Sequence, residues 1–453
     1  MRNPMFVFDE GLTDLVFDYC RRRLAMDPVP LDYGGVGPLL HEELEGLMTP
    51  HGNDPERVLG LFADTLATAV VSCDSPRFLS FIPAAPTKAA LLFDMVVSCS
   101  SLQGTSWLEA AGAVAAENQA LRVLADLAGL PDTAAGCFVS GGSMGNLSAL
   151  VVARDTAGLR RGGGPRPARP RIAVSEETHS SVSSALRIIG TEPLLVPTDD
   201  HRMTGEALEA ALAAEGAADD TVAVVATAGS TNGGIVDDLA GIGAVCARRS
   251  LWFHVDAAYG GAALFAPSAR ERFAGIDRAD SMIVDPHKWL FAPFDCAALL
   301  YREPELARAV HAQRASYLEI THDERSFNPS DYAFHLTRRA RGLPLWFSLA
   351  VHGTDAYRDA VEAVLAIART AAGTIRALPY LELVREPELS VVLFRRLGWE
   401  RADYEAWSRR LLAEQIGFVT PTTWEGRPVA RMAFLHPETT PAIVEEILAT
   451  MAP

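Results

Sequence analysis

"DSMIVDPHKWLFAPFDCAALL", residues 280–300, is a run of apolar side chains in which Lys288 stands between His287 and Trp289. Its opening, "SMIVDPHK", begins like a strand with both faces buried. Four other runs have the same character: "GCFVSGG" (136–142), "RIAVS" (171–175), "TVAVVATAG" (221–229) and "LWFHVDAA" (251–258). Helical stretches separate them, and such an alternation implies an α/β fold with a mainly parallel sheet covered on both faces. Each run ends in polar residues or glycine, and in such sheets ligands bind beyond the carboxyl ends of the strands.

A lysine in this setting needs a reason, because burying an ammonium is costly unless something compensates it. Surface lysines are the commoner use of the residue. A buried amine, by contrast, is a nucleophile that bonds covalently to a carbonyl. For Lys288 to hold an aromatic aldehyde, the chain must also supply an anion cradle, a carboxylate and a flat group.

The other strand ends offer these parts, each with a plainer reading beside it. "CFVSGGSMGN" sets Gly141, Gly142 and Ser143 between a strand and a helix, as an anion site of bare N–H groups and a hydroxyl or as a purely geometric turn. It is neither a P-loop nor a GxGxxG motif. Asp256 in "LWFHVDAAYGG" reads as a strand-end cap or as the partner of a pyridinium nitrogen, with small residues after it where a flat ring could lie. His179 in "SEETHSSV" reads as a helix cap or as an imidazole stacked on a ring, and Ser230 and Thr231 as turn residues or hydroxyl donors.

Taken together, "HVDAAY" and "PHKWL" resemble the fold-type I, group II pyridoxal-phosphate (PLP) decarboxylases, nearest the aromatic-L-amino-acid decarboxylase branch. The resemblance extends from about residue 10 to the C-terminus. It implies a large domain with a seven-stranded-type sheet, a small C-terminal α+β domain, and homodimers whose sites form at the subunit interface. By matched position it makes Lys288 the cofactor-bearing lysine, Asp256 the ring-nitrogen partner and His179 the stacking histidine. Gly142 and Ser143 fall on the phosphate cradle, Thr231 and Ala258 beside the ring, and Asp285 and His287 in the cofactor site. Tyr317 in "RASYLEITHD" matches the mobile-loop tyrosine, and Arg431 a C-terminal-domain arginine for which a structural role stays open.

The substrate pocket implied comprises Phe81, Ile82, Pro83 and Ala84 of "FLSFIPAAP" with Gln103, Thr105 and Trp107 of "LQGTSW". It is largely apolar and has no basic cluster, which suits an aromatic L-amino acid, leaves aliphatic ones open and disfavours glutamate. The expected products are the amine and carbon dioxide, with aldehyde formation on the same scaffold as the alternative. One departure stands out. The aromatic branch carries Asn where Asp285 stands, so this carboxylate must be turned away, hydrogen-bonded or protonated to tolerate a phosphate.

The rest of the chain fits a large soluble protein of 453 residues, 49% hydrophobic and 21% charged. A net charge of −17 argues against nucleic acid or an anionic membrane surface as the main partner. Six scattered cysteines without metal-ligand spacing read as reduced thiols, and the N-terminus carries acids within its apolar stretch, so a cytoplasmic protein without a bound metal is expected. Residues 1–85 read as a helical segment, which the resemblance implies packs on the dimer partner. Residues 86–345 form the PLP-binding domain, and 346–453, with "ELSVVLFRRL" and "VARMAFL", the small domain.

Overall fold

Alternating strands and helices build the large domain of the computed structural model, which describes residues 3–33, 39–83, 85–160, 162–163, 167–214, 219–321 and 326–453. Its strands are β1 (Ala135–Val139), β2 (Arg171–Val174), β3 (Glu192–Leu195), β4 (Thr221–Thr227), β5 (Trp252–Asp256), β6 (Ser281–Val284) and β7 (Ala297–Tyr301). They form one sheet in the order β1-β7-β6-β5-β4-β2-β3. β7 runs antiparallel to both of its neighbours, and all other pairings are parallel. The expected mainly parallel sheet is therefore present, with the end of the opening stretch and the residue after it, "AALLY" (297–301), as its reversed strand.

Side-chain alternation divides the core in two. Ile283 and Leu299 point to one face with Val139, where the helices Gly142–Arg160 and Ser180–Ile189 cover them. Met282, Val284 and Leu300 point to the other, where the helix Leu343–Ala377 packs. A sheet buried on both faces reads as continuous apolar sequence, which is why these strands look alike.

The helix Leu343–Ala377 begins near the expected boundary at 346 and leads into a second sheet of β8 (Leu381–Leu383), β9 (Val391–Arg396), β10 (Thr420–Trp424) and β11 (Arg427–Ala433). Its order is β10-β11-β9-β8, antiparallel throughout. At the other end of the chain the helix Glu10–Leu24 has no buried residue. Among the described residues no helix is long and apolar enough to cross a membrane.

Candidate active site

The carboxyl ends of β1, β4, β5 and β6 surround a cavity of about 410 Å³. Gly142, Ser143, His179, Thr231, Asp256, Ala258, Asp285, His287 and Lys288 all line it. Every cofactor residue expected from the sequence thus meets in one place.

Lys288 sits on the one-turn helix Pro286–Trp289 that follows β6. Trp289, fully buried and stacked on Tyr259 at 5.4 Å, anchors that turn from below. The lysine is only half-buried: its Nζ reaches the cavity and pairs with Asp285 Oδ2 at 3.0 Å. A neighbouring carboxylate, rather than an apolar enclosure, compensates the ammonium. The chain has just two lysines, Lys288 and Lys88.

Asp285 is buried, and its Oδ2 also accepts from the Gly142 N–H at 3.1 Å. Of the three accommodations expected for this residue, hydrogen bonding is the one present. Its Oδ1 has no hydrogen-bond partner, and neither has Thr227 Oγ1, another buried atom of a cavity-lining residue. Burial pushes His287 below the usual imidazole range. The ring is therefore neutral near pH 7, and its Nδ1 accepts from the Cys296 N–H at 3.0 Å.

Asp256 closes β5 with Oδ1 accepting from the Ala258 N–H at 3.1 Å and Oδ2 from Asn146 Nδ2 at 2.8 Å. His179 is the N-cap of its helix, its Nδ1 accepting from the Ser181 N–H at 3.2 Å, while the ring stays exposed at the cavity. Capping and a ring-stacking role are thus compatible in one residue. Ser230 is a turn residue, buried and accepting from the Ile235 N–H.

Arg431 is buried, and its guanidinium is spent on backbone: it donates to the Thr231 carbonyl at 2.6 Å and the Phe81 carbonyl at 3.2 Å. Burial lowers its pKa to about 10. The arginine ties β11 to the cavity rim and to the Phe81 segment, which is a structural task.

The expected substrate residues do not line this cavity. Gln103, Thr105 and Tyr317 share a different one, of about 340 Å³, and Tyr317 is 71% exposed. Phe81 is exposed with its ring 6.0 Å from Phe418, Ile82 and Pro83 are half-buried, and Trp107 is exposed at the start of the helix Trp107–Leu127. Ala84 lies outside the described residues.

Asn146, Glu177, Ser181, Thr227 and Tyr259 line the cavity and were not expected from the sequence. Two had a readable signal. Asn146 lies four residues after Gly142, one helical turn on, and Thr227 pairs with Asp256 in the β4–β5 register.

Donors and spaces here suit PLP. An added Cβ at Gly142 would come within 3.0 Å of Asp285, so only a bare backbone fits there, and Gly229 holds φ at +104°, a region that favours glycine. An amine, the Gly142 N–H, two unpartnered buried oxygens and a carboxylate at a strand end make up the polar set.

Comparison with known proteins agrees. The model of the "Pyridoxal-dependent decarboxylase conserved domain" matches residues 38–397. The chain is 30% identical over 427 residues to an aromatic-L-amino-acid decarboxylase of Bacillus atrophaeus, covering 91% of this chain and 87% of that protein. It is 33% identical over 382 residues to an L-2,4-diaminobutyrate decarboxylase of Rhizobium meliloti (strain 1021), covering 79% and 74%. The crystal structure of Oryza sativa TDC with PLP and tryptamine superposes with a TM-score of 0.89 at 25% identity, covering 98% of each chain. The chain belongs to the pyridoxal-dependent decarboxylase family, and its activity is that of a PLP-dependent amino-acid carboxy-lyase.

Proposed function

We propose that the chain decarboxylates an L-amino acid with an aromatic side chain and releases the amine. The observation that carries the substrate class is the Arg431 clamp. By holding the Phe81 and Thr231 carbonyls together, it keeps the apolar stretch Phe81-Ile82-Pro83 beside the Lys288 cavity. A substrate side chain leaving that cavity would meet hydrocarbon there.

PLP, when bound, would supply an electron sink for decarboxylation. Lys288 Nζ would hold the cofactor covalently, and the Gly142 N–H and Ser143 would hold its phosphate. Asp256 would keep the ring nitrogen protonated, because a close opposite charge favours the charged form. His179 would hold the ring by stacking, and Tyr317 would donate the proton that completes the amine.

Tyr317 lines a cavity apart from that of Lys288, and a second copy of the chain could bring its loop over this one, so we propose a homodimer with shared sites. The exposed Phe6, Phe8, Val16 and Phe17, together with a first helix that buries nothing, support a partner along residues 1–85. In that assembly Gln103, Thr105 and Trp107 would complete the pocket. The absence of any disulfide among the six cysteines is consistent with a cytoplasmic setting.

A second reading has its own observation. In the Tyr317 cavity, Gln103 Nε2 and Ser106 Oγ hold the Glu109 carboxylate at 2.7 and 2.6 Å, and among the described residues no lysine or arginine lines that space. An anion there favours a substrate with a cationic side chain. Comparing kcat/KM for tryptophan, tyrosine and phenylalanine with 2,4-diaminobutyrate, valine and glutamate separates the two. The aromatic reading predicts that an aromatic acid ranks first; diaminobutyrate or valine above every aromatic overturns it.

A further inference from the structure

β5 alternates Trp252, His254 and Asp256 onto one face, and the helix Gly142–Arg160 lays Asn146 across it. From this face we infer that Asn146 is the hub of a one-directional hydrogen-bond relay that positions both Asp256 and His179 against the cofactor ring. The inference rests on the roles given above to those two residues.

The direction of the relay follows from what each group can do. The indole of Trp252 only donates, and its Nε1–H meets Ser281 Oγ at 2.8 Å. At the other end Asp256 only accepts, so Asn146 turns Nδ2 to Asp256 Oδ2 at 2.8 Å and its second amide proton to Ser181 Oγ at 3.1 Å. That leaves Asn146 Oδ1 facing His254, whose Nε2 must carry the proton and donate at 2.8 Å. With its proton on Nε2 the neutral ring accepts at Nδ1, and the Ser281 hydroxyl donates to it there at 2.8 Å.

Both branches end on a site residue. Asp256, an acceptor only, receives one proton of the amide. On the other branch the Ser181 N–H, which can only donate, points at His179 Nδ1, so that nitrogen is an acceptor and the Ser181 hydroxyl donates to it as well, at 2.9 Å. With Nδ1 serving as acceptor, the proton of the neutral His179 ring sits on Nε2. One buried amide thus reaches the carboxylate directly and the imidazole through Ser181.

Ser281 and Asn146 are 1% exposed and His254 is fully buried, so in the intact protein the links of the relay are closed to bulk water. Burial holds the His254 pKa down at about 4 against the opposing pull of Asp256, and the ring stays neutral as the relay requires. A protonated His254 would donate from both nitrogens and reverse the Ser281 link.

Asn146 and His254 are positioning residues, and the test reads positioning apart from mere packing. Four proteins are prepared as holoenzymes with PLP labelled with ¹⁵N at the ring nitrogen: Asn146→Ala, His254→Phe, His254→Gln and the double variant Asn146→Ala/His254→Phe. The inference predicts that Asn146→Ala lowers kcat about 10–100-fold, the usual range for a supporting partner, with KM nearly unchanged. The ¹⁵N resonance of the resting holoenzyme moves toward the unprotonated ring. His254→Phe shifts both in the same sense, and His254→Gln, which can still donate and accept, restores them. The double variant is no worse than Asn146→Ala, because both break one relay. An Asn146→Ala protein with wild-type kcat and an unmoved resonance overturns the relay; if that variant does not fold, the contrast between His254→Phe and His254→Gln decides alone, and equal behaviour of the two overturns it. Asp256→Ala serves as the control: full activity there sinks the assignment of Asp256 itself, whereas an inactive Asp256→Ala beside a normal Asn146→Ala sinks only the relay.

Discussion

Replacing Asp285 by asparagine should tighten cofactor binding. Asp285 Oδ2 holds the Lys288 ammonium at 3.0 Å and also accepts the Gly142 N–H, which is a proposed phosphate donor. Covalent attachment needs the amine free of this pair, and phosphate must share or take over the amide. The attraction at 3.0 Å is about 5.5 kcal/mol in an effective dielectric of about 20. Desolvation of the two charges offsets much of it, leaving about 1.5–3 kcal/mol, typical of a hydrogen bond to a charged group. Asparagine keeps an acceptor for Gly142 but removes the charge that restrains Lys288 and repels phosphate. At a factor of ten for about 1.4 kcal/mol, Asp285→Asn should bind PLP at least about tenfold more tightly. Titrating apoprotein with PLP and following the visible absorbance of the lysine-bound cofactor gives both dissociation constants. Equal or weaker binding by the variant would refute the reasoning and make the carboxylate a supporting member of the cradle.

Wild-type protein should yield amine, and Tyr317→Phe should divert product toward aldehyde or stall turnover, since a phenylalanine has no proton to give; mass spectrometry of the products reads this, and unchanged amine formation removes Tyr317 from the mechanism. Arg431→Met should lower stability by about 1–3 kcal/mol, because the Thr231 and Phe81 carbonyls lose their buried donor; an unaltered denaturant midpoint would contradict the clamp. His254 and His335 are both pushed down by burial, from 6.5 to about 4. The unfolded chain therefore takes up these protons first, so stability is full above about pH 6.5 and falls as the pH drops toward 4, by up to roughly 3 kcal/mol for each histidine. Denaturant midpoints measured across that window check the sign, and a midpoint that rises on acidification would contradict it.

The cofactor site was legible because it lies at the ends of buried strands. There the apolar run stops abruptly, and the first polar residues, Asp256, Asp285 and Lys288, are displayed where ligands bind in such sheets. β3 was harder to see: "EPLL" has only Leu194 buried and no apolar run. β7 was hidden in plain view, since "AALLY" reads as apolar core without revealing that it runs backwards. The relay escaped because its members are ordinary singly. His254 looks like any strand residue until the register sets Ser281 beside it, and Asn146 reads as helix until packing lays it over β5. Phe81, Gln103 and Thr105 were expected around the substrate and Tyr317 on the catalytic loop, yet within one chain none of them lines the Lys288 cavity; the proposed homodimer would account for this, because sequence matching assigns a role without saying which copy supplies the residue.

The central claim is that Lys288 holds the cofactor, and the scarcity of lysine makes it directly testable. With only Lys88 and Lys288 in the chain, reducing the PLP-loaded protein with borohydride and mapping its peptides leaves two side chains that could carry a stable adduct. The account predicts that the mass of the reduced cofactor appears on the peptide containing Lys288. An adduct confined to the exposed Lys88, or none on either peptide of a yellow, active preparation, would contradict it.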